Sequence, residues 1–274
     1  MDLGQKNYAI AGILLKIDSG VYVEDCWEKF NIAYGLGIEE LKNRIQILEE
    51  EPPNYHGIRH TKLKQDDSFI LETDKELAIV NTDWTIGRIL EQNALGRNAL
   101  LMQIFYTNVL QYHMIQFHSS IVRLSNGKGL MFLGPSGIGK TTQAELWNKY
   151  RDALIINGDI VFVQETPDAF LGWGTPWHGS SSYCENTSVP LKAMIVLKQS
   201  PKNFIRELTG FEKVTAVSNN VFYPRWLENG MELCLETLDH LLSRIPVYEL
   251  SCRPDEEAVK LTEETIFGSG SVSD

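Results

Sequence analysis

Residues 134–142 read G-P-S-G-I-G-K-T-T. Glycines at 134, 137 and 139 let a backbone turn tightly and point its N–H groups inward, where they and a helix N-terminus can hold phosphate oxygens. A lysine at 140 is spaced to reach the β- and γ-phosphates, and the Thr141 hydroxyl to hold Mg²⁺. The flanks agree: an apolar run, G-L-M-F-L, leads in as a strand, and T-T-Q-A-E-L-W-N-K-Y leads out as a helix. A chance glycine turn would not need both. Gly134, Pro135, Ser136, Gly137, Ile138, Gly139, Lys140, Thr141 and Thr142 are therefore expected to bind a nucleoside triphosphate, with ATP and Mg²⁺ as cofactors.

The next chemistry lies at N-G-D, residues 157–159, which an apolar strand delivers after that helix. Asp159 beside the phosphates would supply a carboxylate for Mg²⁺, for deprotonating an acceptor hydroxyl, or for both. Asn-Gly-Asp is also an ordinary hairpin sequence, so a plain turn aspartate is the competing reading. Asn157 is either a hydrogen-bonding support for Asp159 or a turn former. His118 either caps the strand that precedes the loop or pairs with Asp159 and steadies a phosphoryl oxygen. Trp177 and His178 stand in W-G-T-P-W-H-G, a glycine-flanked aromatic turn, and are acceptor-site candidates against simple loop packing. Lys192 and Arg206 are cations that could neutralise charge on ATP or substrate, Arg206 in an expected helix, N-F-I-R-E-L, whose solvated face is the competing and slightly better account of it. Arg253 either approaches the adenine side or is a surface residue.

These groups need a scaffold. H-S-S-I-V-R-L at 118–124 reads as a strand joined to the loop strand through Asn126 and Gly127, a hairpin signal. The loop strand would then have an antiparallel neighbour just before it, unlike the parallel βαβ opening of common ATPases and GTPases. Residues 94–115 carry a helical stripe with Leu100, Ile104 and Val109. Upstream, apolar runs around Asp18, Ser19 and Gly20 suggest a hairpin, residues 38–50 a helix or long strand, E-P-P-N at 51–54 a break, and residues 68–90 strand, turn at Asp74 and Lys75, strand and a short third element. The expected division is a small strand-rich domain at 1–93, a catalytic domain at 94–267 whose last helix begins near D-E-E-A, and a flexible tail at 268–274.

The chain has 274 residues, enough for one large domain or two smaller ones, and 36 acidic against 25 basic residues, a formal charge of -11. Such a field repels nucleic acid, and no basic run opposes it. The apolar stretch at 9–15 is soon followed by Lys16 and Asp18, so it reads as a first strand and not as a span or signal sequence. Four cysteines without a C-x-x-C pair fit a reducing compartment. The expectation is a cytoplasmic protein with no nucleic-acid or membrane partner, with a homo-oligomer left open.

Taken in order, His118 before a hairpin, G-P-S-G-I-G-K-T at 134–141, N-G-D at 157–159, G-T-P-W-H-G at 174–179, S-V-P-L-K-A-M-I-V-L at 188–197 and P-V-Y-E-L-S-C-R-P-D-E-E-A at 246–258 resemble the catalytic domain of HPr serine kinase/phosphorylase. That family shares its nucleotide-binding core with phosphoenolpyruvate carboxykinases. The resemblance, which covers roughly residues 115–265, implies an α/β fold with a mixed sheet and an HPr kinase/PEP carboxykinase-like P-loop core; the small strand-rich α+β domain before it is read from the residues and does not resemble the amino-terminal domain of true HPr kinases. It implies that His118 sits near the transferred phosphoryl group and that Lys140 and Thr141 serve the phosphates and metal. The family's two adjacent aspartates are here Gly158 and Asp159, so Asp159 alone carries over, as base, metal ligand or both. The G-T-P-W-H-G and S-V-P-L-K segments are similar to the smaller HPr-kinase-related tailoring enzymes, some of which phosphorylate ribosomally made precursor peptides. Carboxykinase chemistry would want a second metal site and an arginine for a carboxylate, and no such set is evident. The sequence thus points to a Mg²⁺-ATP-dependent phosphotransferase acting on a hydroxyl, foremost a serine or threonine of a peptide or protein. A kinase of a small hydroxylated metabolite and a nucleotide-dependent peptide-binding module are the alternatives.

Overall fold

The computed structural model describes residues 4–18, 21, 23–32, 44–49, 68–72, 77–90, 94–227 and 229–268. The chain forms two compact units, Met1–Gln111 and Tyr112–Asp274. Its class is mixed α/β with two separate sheets.

In the first unit, β1 (Gln5–Ile10), β2 (Ile13–Asp18), β3 (Arg44–Glu49), β4 (Ser68–Glu72), β5 (Leu77–Asn81) and β6 (Ile86–Leu90) form one sheet in the order β1-β2-β3-β6-β5-β4. The hairpin between β1 and β2 closes at Ala11 and Gly12, and not around Asp18 as the turn signal there suggested. Both residues have positive φ, 49° and 75°, the combination whose twist matches that of paired strands. Asp18 does accept a turn bond from the Val21 N–H at 2.9 Å, but Ser19 and Gly20 lie outside the described residues. So do residues 38–43, the E-P-P-N break and the turn at Asp74 and Lys75, whereas the strand choice holds for Arg44–Glu49.

Helix α1 (Ala94–Val109) carries the expected stripe, with Leu100, Ile104 and Val109 all buried. It belongs to the first unit, whereas the sequence reading starts the second unit at residue 94. The reason is packing. A Cβ at Gly87 of β6 would fall 2.9 Å from Ile104 Cδ1, and the Asn108 side chain donates to the Trp84 carbonyl at 3.0 Å.

The second unit contains β7 (Met114–Arg123), β8 (Gly129–Leu133), α2 (Lys140–Arg151), β9 (Leu154–Asn157), β10 (Ile160–Glu165), β11 (Phe170–Trp173), β12 (Ser188–Gln199), β13 (Phe204–Leu208), α3 (Gly210–Ser218), α4 (Gly230–Arg244), β14 (Val247–Cys252) and α5 (Glu256–Phe267). Its sheet runs β11-β10-β7-β8-β12-β14-β13, with β9 also on β7. The sheet is mixed: β12 is parallel to β8 and β14, while β7 and β8 form the expected antiparallel hairpin through Gly127, φ 74°. Val122, Phe132, Ile195 and Leu250 pack with Trp147 of α2 and Val259 of α5. The alternate residues Ile121, Met131, Leu133 and Met194 are buried as well, so the central strands are covered on both faces and read as unbroken apolar runs. Each such aliphatic or phenyl side chain contributes about 1.5–3 kcal/mol on burial. Helix α5 starts where its cap requires, with the Asp255 carboxylate accepting the Ala258 N–H at 3.0 Å.

Arg206 departs from expectation. It lies on strand β13, not in a helix, because the backbone of 204–208 pairs with β14. Its guanidinium is held by Glu249 and Glu212. Among the described residues no helix is long and apolar enough to cross a membrane. The tail at 269–274 lies outside the described residues.

Candidate active site

The glycine-rich loop leaves the end of β8 and turns directly into α2. Gly137 and Gly139 sit at φ 78° and 113°, where an L side chain is strained, so glycine is required to turn the chain there. The loop is braced from within. Lys140, 6% exposed, donates from Nζ to the carbonyls of Gly134 at 3.0 Å and Pro135 at 3.2 Å. Burial lowers the pKa of this ammonium, and the nearby Asp159 charge pulls it back upward. From beneath, the buried Ser120 hydroxyl donates to the Lys140 carbonyl at 2.8 Å, fixing the start of α2 to β7. Pro135, Ser136, Gly137 and Thr142 are exposed, while Ile138, Gly139 and Thr141 are half-buried.

Asp159 and His118 meet through strand register. Ile160 of β10 pairs with His118 of β7, and the Ser119 N–H donates to the Asp159 carbonyl at 2.8 Å. That pairing brings His118 Nε2 to 3.0 Å from Asp159 Oδ1, with both side chains 29% exposed. The pair is joined to the loop by Thr141, whose Oγ1 donates to the Gly158 carbonyl at 3.2 Å.

Asn157 is both turn former and support. Fully buried, it accepts from the N–H groups of Asp159 at 2.8 Å and Ile160 at 3.0 Å, and it donates to the carbonyls of Thr175 at 3.0 Å and Trp177 at 3.1 Å. One amide therefore ties the Asp159 turn to the aromatic turn. Gly179 completes that junction, since a Cβ there would lie 2.9 Å from Asp159 Oδ2. At Gly158 a Cβ would fall 2.3 Å from Ser181 Oγ, so a second aspartate beside Asp159 would require that hydroxyl to turn away. Of the two acceptor candidates, Trp177 is 3% exposed and its ring packs 6.2 Å from Phe162, whereas His178 is half-buried with Nδ1 3.0 Å from the Gly179 carbonyl. Burial leaves His178 as the side chain able to meet a ligand.

A cavity of about 530 Å³ opens beside the loop, not over the Asp159 and His118 pair. Its lining includes Gly139, Gln143, Lys198, Ser200, Cys252 and Arg253. Gln143 donates to Cys252 Sγ at 3.2 Å, and its buried Oε1 has no partner among the described residues. Burial pushes the Cys252 thiol up to about 11, so it stays neutral. Arg253 is thus at the cavity wall, held by Asp255 at 2.9 Å and Glu257 at 3.0 Å. Lys192 is elsewhere: it is exposed near the start of β12, where Leu191 pairs with Gly129, the end of β8 away from the loop.

The arrangement sets a glycine-rich turn at the N-terminus of α2, a lysine braced inside it, and a carboxylate hydrogen-bonded to an imidazole next to it. Such a set can hold a phosphate chain and accept a proton from a hydroxyl. Sequence reasoning did not single out Ser120, Gln143, Gly179 or Asn220. Their partners are distant in the chain, and only the glycine between His178 and Ser180 had a local signal, as part of a turn.

No family model matches the chain, and no curated protein does. Among solved structures the chain is similar to the Hpr(Ser) kinase/phosphatase from Coxiella burnetii, at 10% identity and a TM-score of 0.32, over 56% of this chain and 93% of that one.

Proposed function

We propose that this protein is a Mg²⁺- and ATP-dependent phosphotransferase whose acceptor is a hydroxyl, the serine or threonine of a peptide or protein. The observation that carries the reading is the link between the loop and the carboxylate: Thr141 bonds the Gly158 carbonyl, and Asp159, next in the chain, lies close enough to Lys140 to influence its protonation. A phosphate chain held by the loop would then have Lys140 on one side and the Asp159 and His118 pair at its end. The ordered motifs that resemble HPr serine kinases support the same assignment, including a tailoring role on a precursor peptide. The cavity beside the loop suits the base and ribose, with Gln143 and Arg253 in its wall.

Thr141 and Asp159 offer the hard oxygen donors that Mg²⁺ prefers, together with the phosphates themselves. A bound Mg²⁺ supplies neutralisation of charge on the transferred group. Asp159 receives or orients the acceptor proton, His118 holds the carboxylate from the other side, and the loop N–H groups and Lys140 bear the charge that develops on the phosphoryl oxygens. Asn157 keeps Asp159 and the 174–179 turn in one geometry.

The test is an intact-mass assay with Mg²⁺, ATP and a panel of peptides and small hydroxylated compounds. A gain of about 80 Da on a peptide marks transfer of one phosphoryl group and exposes the acceptor residue. Consumption of a small compound with no change in any peptide would instead assign a metabolite kinase, and ATP binding without transfer a recruiting module. If His178 faces the acceptor, H178A should raise the acceptor KM roughly 10-fold or more while ATP affinity stays within about 3-fold, as expected for loss of one hydrogen bond to substrate. Equal losses for both ligands count against this placement.

A further inference from the structure

Asn220 belongs to none of the motifs above. It stands just after α3, is 6% exposed, and joins elements that are far apart in the chain. Its side-chain Oδ1 accepts the N–H of Gly134, the first residue of the glycine-rich loop, at 2.8 Å. Its side-chain amide donates to the Ala216 carbonyl in α3 at 3.0 Å. Its backbone carbonyl accepts the N–H of His118 at 2.9 Å, and its own N–H is satisfied by Val217 at 2.9 Å.

Gly134 sits at φ 141°, and its carbonyl is one of the two that receive the Lys140 ammonium. Glycine has wide rotational freedom at φ and ψ, so the peptide that enters the loop needs a restraint from outside its own backbone. The bond to Asn220 supplies that restraint. Because the same residue holds the main chain of His118, the start of the loop and the strand bearing the Asp159 partner are set from one point. We propose that Asn220 is a positioning residue of the nucleotide site, keeping the loop in register with His118 so that Lys140 and the Asp159 pair address the same phosphates. This rests on the ATP reading given above.

Substitution separates the bonds. The His118 link uses the main chain and survives any side-chain change. N220A removes both side-chain bonds, while N220D keeps an acceptor for Gly134 and, when ionised, loses the donor to Ala216. ATP affinity is measured by calorimetry for the wild type and both variants over a range of salt concentrations, with thermal melts alongside; Asn220 is 6% exposed, so salt screens the N220D charge only in part. N220A should bind ATP on the order of 10-fold more weakly, since it leaves the buried Gly134 N–H unpaired, and N220D, which keeps that bond, should bind more tightly than N220A. Both should melt below the wild type, N220A through the unpaired Gly134 N–H and N220D through a carboxylate set against the Ala216 carbonyl. N220A binding like wild type overturns the proposal. So does N220D binding as weakly as N220A, which would assign the effect to the end of α3. If N220A does not fold, N220S, whose side chain is one bond shorter than asparagine, replaces it in the same comparison. A wild-type chain with no ATP affinity overturns the nucleotide reading itself, and this proposal with it.

Discussion

D159N is expected to lower phosphoryl transfer roughly 100- to 10,000-fold, the range set by loss of a positioned proton acceptor, while ATP affinity falls by no more than about 3-fold. The substitution is nearly isosteric, so the junction with Gly179 keeps its shape, and the backbone bonds from Ser119 to Asp159 and from Asp159 to Asn157 are untouched. What changes is charge. The amide cannot receive the hydroxyl proton, and the negative neighbour that helps keep Lys140 protonated is gone. Removing that negative charge also lessens repulsion of the triphosphate, which offsets the loss of an oxygen donor for the metal. Single-turnover transfer and calorimetric ATP binding, measured on the same preparations, check the split. Transfer above about a third of the wild-type rate would show that Asp159 is not the acceptor of the proton.

K140A should act on both quantities at once. Hydrogen bonds to a charged group contribute about 1.5–3 kcal/mol, so loss of the ammonium is expected to weaken ATP binding roughly 10- to 150-fold. Transfer should fall further, because the charge developing on the phosphoryl oxygens loses its cation. Lys140 also braces the loop through the carbonyls of Gly134 and Pro135, so part of the loss comes from a loosened loop. The contrast with D159N is the informative result: one variant is silent in binding and severe in transfer, the other severe in both. Unchanged ATP affinity in K140A would remove the basis for treating 134–142 as a nucleotide site.

Several elements were legible before the structure because their causes are local. Gly137 and Gly139 have the positive φ values that the motif demands, Asn126 and Gly127 close the β7–β8 hairpin, and Asp255 caps α5. Where local signals competed, they misled. The sequence reading places the first turn at Asp18, Ser19 and Gly20, and pairing of β1 with β2 instead closes the hairpin at Ala11 and Gly12. N-F-I-R-E-L has side chains compatible with a helix, yet the unpaired edge of β14 recruits it as a strand. The stripe of α1 was readable, but the sheet it covers was not, because the fit of Ile104 over Gly87 depends on shape between separated segments.

The sequence by itself determined the glycine-rich loop, the strand and helix that flank it, and the short list of residues able to do chemistry beside it. Only the tertiary structure decided that His118 and Asp159 lie 3.0 Å apart, that Trp177 is buried while His178 is not, and that Asn157 and Asn220 hold the pieces together. The physical reason is range. A turn or a cap is written in consecutive residues through dihedral preference and neighbouring donors. A buried amide that bonds to chain segments far away leaves no local mark, and it becomes visible only once strand register brings its partners within hydrogen-bonding distance.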